Sequence, residues 1–118
     1  MVKYAESIDE SEIKHGIVMR MTKWQTKKHS TYSQISDCLG KWCYEPFNET
    51  TKSAIEKDVD GIVSPIKKGG LLKSYSIKAS LVDESNGNVN VEFEWEDSDP
   101  KGDKRTTTFF IGAAEDMD

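Results

Sequence analysis

The chain is short of the residues that staple a fold or hold a metal. Among 118 residues there are two cysteines, two histidines and three prolines. Cys38 and Cys43 stand five apart, and His15 and His29 lie in other segments, so the ligand spacing of a zinc site is missing. No cofactor or metal is expected. No apolar run approaches the ~20 residues that would span a bilayer. The opening MVKYAESIDESE lacks the apolar core of a secretory leader, so intracellular synthesis and reduced cysteines are expected. Gly69-Gly70 has neither the spacing nor the following helix of a phosphate loop. DSDPKGD at 97–103 lacks the full spacing and the terminal glutamate of a calcium loop. No nucleophile elbow or activated cysteine motif surrounds Ser30, Ser33, Ser36, Cys38 or Cys43, and no enzyme activity is expected.

What is present is charge and a clean change of period. Charged residues make up 31% of the chain and apolar residues 36%, which suits one folded domain over 1–118 with a heavily charged surface. The net charge is -5, against the basic footprint of a general nucleic-acid binder. It is divided unevenly. Residues 1–82 carry 13 Lys/Arg and 10 Asp/Glu, a net of +3, whereas 83–118 carry 3 and 11, a net of -8. Such polarity steers head-to-tail contacts between copies, or belongs to a solvated surface with an acidic tail. Lys23, Lys27, Lys28 and His29 beside Trp24 and Tyr32 form the one basic, aromatic cluster, but Trp24 falls on an apolar stripe, and nucleic-acid binding is not expected.

The stretch from about residue 10 to residue 64 reads as helices joined by short connections. Asp9 and Glu12 suit a capping box, and Ile13, Ile17, Met21 and Trp24 recur at helical spacing, predicting a helix over about 10–25 whose last turn leads into Lys23, Lys27 and Lys28. Ser30 or Thr31 caps a short second helix with Tyr32, Ile35, Leu39 and Trp42 on one face, ending near Gly40. Asn48 caps a third, burying Ala54, Ile55, Val59, Ile62 and Val63, which Pro65 kinks or ends near Ser64. Between the second and third, Trp42, Tyr44 and Phe47 surround Pro46 as an extended bridge held by aromatic anchors.

The period then falls to two. Tyr75, Ile77, Ala79 and Leu81 alternate with polar residues, as do Val89, Val91, Phe93 and Trp95, with SNGN at 85–88 as the hairpin turn. Thr106 to Ile111 makes a third strand. There Phe109 and Ile111 share a face, and Phe110, on the other, is expected to be covered as core. Glu92, Glu94 and Glu96 line the polar face of their strand. Residues 112–118 read as a mobile acidic tail. The fold class is α+β: three N-terminal helices packed on a small, mainly antiparallel sheet of about three strands.

The stretches YEPFNETTKSAIEKDVDGIV and GGLLKSYSIKASLVDESNGNVNVEFEW resemble the C-terminal domain of contractile-tail sheath proteins of bacteriophages and related injection machines. Tyr44, Glu45 and Pro46 match the element before the family's helix, Gly70 and Leu71 its turn, and Tyr75 its following strand. Phe47 interrupts the usual Pro-Asn adjacency, Pro65 intrudes near the helix end, and the chain is far shorter than a sheath subunit. The resemblance implies a non-enzymatic structural or assembly protein, found in the host cytoplasm during assembly and then in the virion tail. It implies protein partners, copies of itself or other tail components, joined by strand addition at a sheet edge. Under it Trp42, Tyr44, Pro46, Phe47, Gly70 and Tyr75 are structural anchors. Glu45, Glu92, Glu94, Glu96, Lys27 and Lys28 are the partner-binding residues. The alternative is a small acidic cytoplasmic binding protein, an inhibitor or immunity protein that presents the glutamate row to a basic partner.

Overall fold

The computed structural model of the protein describes residues 2–6, 21–43, 45–83 and 88–112. Strand β1 (Val2–Glu6) comes first, then helix α1 (Lys23–Leu39), a 3-10 turn (Gly40–Trp42) and helix α2 (Glu49–Lys68). Strands β2 (Leu72–Asp83), β3 (Asn88–Asp97) and β4 (Lys104–Ile111) follow. The four strands form one antiparallel sheet in the order β1-β4-β3-β2.

This corrects the expectation of three helices on about three strands. Among the described residues there are two α-helices, and the sheet gains a strand from the N-terminus. The helix expected over 10–25 is cut short from its far end. Thr22 is extended, and its side chain accepts the Gln25 N–H while its own N–H donates to the Gln25 side chain. That reciprocal cap starts α1 at Lys23. The rest of the expected first helix, including Ile13 and Ile17, lies outside the described residues, and Met21 from its apolar stripe is 60% exposed. Lys23, Lys27 and Lys28 therefore occupy the first turns of α1, not the last turn of an earlier helix. No second helix starts at Ser30 or Thr31. Thr31 sits inside α1 and its hydroxyl donates back to the Lys27 carbonyl at 3.1 Å. Gly40 ends α1 as expected.

Asn48 does cap α2, sharing a reciprocal pair of bonds with Thr51. Pro65 neither ends nor shortens this helix, which runs on to Lys68. A proline ring removes a backbone donor and presses on the carbonyl four residues earlier. Here that residue is Gly61, which is exposed, and Pro65 stands in the last turn of the helix. The chain then reverses through Gly70, at φ +88°, a conformation that glycine adopts without strain.

The core lies between the helices and one face of the sheet. Ile55, Val59, Val63 and Ile66 of α2 and Trp24, Tyr32, Ile35 and Leu39 of α1 bury against Ala79, Val89, Val91, Phe93, Trp95, Phe109 and Ile111. Trp24 stands edge-on to Trp95 at 5.3 Å and to Phe93 at 6.3 Å, and Tyr32 edge-on to Phe93 at 6.4 Å and Phe109 at 5.9 Å. Such pairs contribute about 0.5–1.5 kcal/mol each beyond their buried area. The Tyr32 hydroxyl accepts from Trp95 Nε1 at 2.9 Å and Thr107 Oγ1 at 2.7 Å, fixing α1 to the two central strands. Phe110 contradicts the expectation of core: it is 43% exposed, because its odd neighbours Phe109 and Ile111 take the helix side. The hairpin turn at 85–87 and the tail at 113–118 lie outside the described residues.

Candidate interaction surfaces

Three surfaces merit a functional reading: the corner between the helices, the face of the sheet away from the two described helices, and the outer edge of β2. At the corner, Asp58 of α2 gathers what precedes it. Its carboxylate accepts Trp42 Nε1 at 3.1 Å and pairs with Lys41 Nζ at 2.8 Å, while Lys41 also lies 5.5 Å from the Trp42 ring centroid. The bond to Asp58 raises the Lys41 pKa. Nearby Cys38 has its thiol pKa raised, first by burial and then by the Asp58 charge, with Lys41 opposing. Trp42 and Phe47 pack on the core rim as anchors, and the Pro46 carbonyl accepts the Thr51 hydroxyl at 3.0 Å. Glu45 and Pro46 are exposed, so Glu45 is presented outward on a fixed corner. Tyr44 lies outside the described residues.

The face away from the described helices carries Ser74, Ser76, Lys78 and Ser80 of β2, Asn90, Glu92, Glu94 and Glu96 of β3, and Lys104, Thr106, Thr108 and Phe110 of β4. Register decides its charge. Glu92 stands opposite Lys78, and Glu96 opposite Lys104 with Lys73 Nζ at 3.6 Å. Glu94 faces Ser76 and Thr106, and the Ser76 hydroxyl reaches it at 3.3 Å. The three glutamates are thus brought together in a row, but two of them have cross-strand lysines. The face is mixed in charge, with one exposed ring, and the acidic patch that an inhibitor of a basic partner would need is largely neutralised. Lys27 is exposed on α1, far in sequence from this row; Lys28 is half-buried with its ammonium 5.5 Å from the Trp95 ring.

The acidic loop after β3 is structural. Asp97 is buried, accepts the Thr22 hydroxyl at 2.6 Å and the Asp99 N–H at 2.9 Å, and donates its own N–H to the Asp103 carbonyl at 2.9 Å. It ties the α1 cap to the sheet. Among the described residues, no three His, Cys, Asp or Glu side chains converge as a metal site.

The third surface was not legible as a site. Beside β2, at the end of the sheet order, runs a groove of about 820 Å³ between the strand and α2. Glu56, Asp60 and Ser64 line its helix wall, Tyr75 and Ile77 its strand wall, and Lys67, Lys68 and Lys73 its end near Gly70. The Tyr75 hydroxyl donates to Asp60 at 2.5 Å, and burial followed by that bond raises its pKa. Glu56 Oε2 accepts the Ala79 backbone N–H at 2.9 Å and meets Lys52 Nζ at 3.2 Å. From sequence Glu56 is the (i, i+4) partner of Lys52, and nothing in that spacing points to a strand edge.

Among the described residues no helix is long and apolar enough to cross a membrane. No protein-family model matches this chain, and no curated protein or solved structure matches it.

Proposed function

We propose that this chain is a structural assembly protein that works through contacts with other protein chains. Its finer setting, on the sheath resemblance, is a contractile phage tail or a related injection machine. The observation that carries the reading is the one-sided cover of the sheet. Both described helices lie on one face, while among the described residues the other presents a mixed-charge surface with Phe110 exposed, and β1 and β2 stand at the ends of the strand order. A long uncovered edge is a template for another chain, which a protein blocks or uses. Trp42 and Phe47 packed on the core rim before α2, and the Gly70–Leu71 turn leading into Tyr75, support the narrower setting, because they stand where the resemblance expects anchors. Reactive groups play no part in this reading, and no bond is made or broken.

The test is the absolute solution mass of the wild-type protein over a wide concentration range, at low and moderate salt. Discrete rings, closed oligomers or growing polymers are expected. A strict monomer throughout overturns self-assembly as its function.

A further inference from the structure

The direction of one hydrogen bond fixes which backbone groups of β2 face outward. In an antiparallel ladder the N–H and C=O of a residue point to the same side, and the side alternates along the strand. The Ala79 N–H points away from β3, to Glu56. Tyr75, Ile77 and Leu81 therefore also turn their backbone groups outward, while Ser74, Ser76, Lys78 and Ser80 face Glu96, Glu94, Glu92 and Asn90 of β3. The regular part of the ladder is bounded by register shifts at Leu72/Ser74 and Leu81/Asp83. Ile77 stands near its middle.

We propose that the outer edge of β2 is a self-pairing surface that takes β2 of a second copy in antiparallel register, and that Glu56 is the stop that holds this edge closed. The inference rests on the assembly reading above and names its contact. A two-fold axis beside Ile77 sets Ile77 against Ile77 and Tyr75 against Ala79, so apolar and aromatic side chains meet on the groove side. On the open face it sets Ser74 against Ser80 and Ser76 against Lys78. No like charges oppose one another along the ladder, and the bulges limit it at both ends. In this register the Ala79 N–H would donate to the Tyr75 carbonyl of the second copy. The Glu56 carboxylate occupies that acceptor position, steadied by Lys52. Each copy must withdraw its Glu56 before the ladder closes.

The experiment compares wild type, Glu56→Ala, Glu56→Gln and the double variant Glu56→Ala with Ile77→Lys. Solution mass is measured across concentration, with backbone amide exchange at Ile77 and Ala79. Freeing the Ala79 donor in both copies adds two net hydrogen bonds, so Glu56→Ala should self-associate roughly ten- to a hundredfold more tightly than wild type. The Ile77 and Ala79 amides should then slow together as the dimer forms. Glu56→Gln keeps an acceptor oxygen and should behave as wild type. The added Ile77→Lys change places two ammonium groups opposite each other across the axis and should return the protein to a monomer. If wild type assembles and Glu56→Ala assembles no more tightly, the stop is refuted while the assembly reading stands. If Glu56→Ala associates but Ile77→Lys leaves it associated, the contact lies elsewhere and the proposal is overturned. If every form remains monomeric, both readings fail.

Discussion

Replacing Tyr32 by Phe tests what joins α1 to the sheet. Tyr32 and Thr107 are fully buried, and Trp95 is nearly so. The Tyr32 hydroxyl is the acceptor for two donors, Trp95 Nε1–H and Thr107 Oγ1–H. Tyr32→Phe removes one oxygen and orphans both. An unsatisfied buried donor costs about 1–3 kcal/mol, so the variant should lose about 2–6 kcal/mol. That is a large part of the roughly 5–15 kcal/mol available to a domain of this size. Thr107→Val alone removes one donor and leaves Tyr32 bonded to Trp95, and should cost only about 1 kcal/mol. The decisive term is the coupling. In the Tyr32→Phe background, Thr107→Val removes an orphan and should restore stability, reversing its sign. Urea unfolding of the four proteins at constant m-value gives the cycle. A Tyr32→Phe loss below about 1 kcal/mol, or the same Thr107→Val cost in both backgrounds, would refute the reasoning.

Gly102→Ala drives a Cβ into the Asp97 side chain that holds Thr22 and displaces it or the loop; a lowered urea midpoint, worth about 1.5–3 kcal/mol if the bond to the charged group is lost, is expected, and an unchanged midpoint would contradict it. Cys38, with its pKa raised by burial, should alkylate with iodoacetamide at pH 8 more slowly than a cysteine in an unstructured peptide; an equal or faster rate counts against the burial argument. Tyr75 has a folded-state pKa above its unfolded value, so its contribution to stability is full below about pH 10 and is lost as pH rises through the folded pKa. Difference absorbance against Tyr75→Phe should show its phenol ionising above ordinary tyrosine, and ionisation at or below the ordinary value would exclude the Asp60 contact as described.

The strands are readable because a half-buried strand writes its two faces into alternating residues, as β3 and the middle of β2 do; in β4 the run Phe109-Phe110-Ile111 breaks the alternation and hides that Phe110 faces outward. The helix ends were readable only where the cap was recognised. Asn48 is such a cap; the Thr22–Gln25 box is hidden in the sequence by the apolar spacing that runs across it from Ile13 to Trp24. The hydroxyls of Ser30 and Thr31 then suggested a break that Thr31 avoids by bonding back along the helix. Pro65 is a stop signal in sequence, yet α2 runs through it for one more turn to Lys68. Strand β1 is five residues long, and its Val2/Tyr4 alternation is too brief to stand alone. Its place depends on pairing Tyr4 with Phe109, a contact across nearly the whole chain. For the same reason sequence could list the polar residues of each strand but not their neighbours. Opposing Glu92 to Lys78 and Glu96 to Lys104 turns a supposed acidic patch into a mixed one.

The acidic residues that organise the candidate site belong to α2 instead, and helical geometry explains their division of labour. Ile55, Val59, Val63 and Ile66 form the buried stripe. At 100° per residue, Glu56 and Asp60 fall on one shoulder of that stripe and Asp58 on the other. The shoulder with Asp58 faces the corner, where it takes Trp42 and Lys41. The opposite shoulder faces β2, where Glu56 takes the Ala79 N–H and Asp60 the Tyr75 hydroxyl. Carboxylates beside an apolar stripe look like ordinary solvated flanks, and in an isolated helix they would be. Here the corner and the strand edge convert both shoulders into attachments. The aromatic bridge before α2 and the closure of the β2 edge are therefore linked through one helix. Loosening the Trp42–Asp58 contact should shift α2 and weaken Glu56 at Ala79, even though the two bonds lie on opposite sides of the same core stripe.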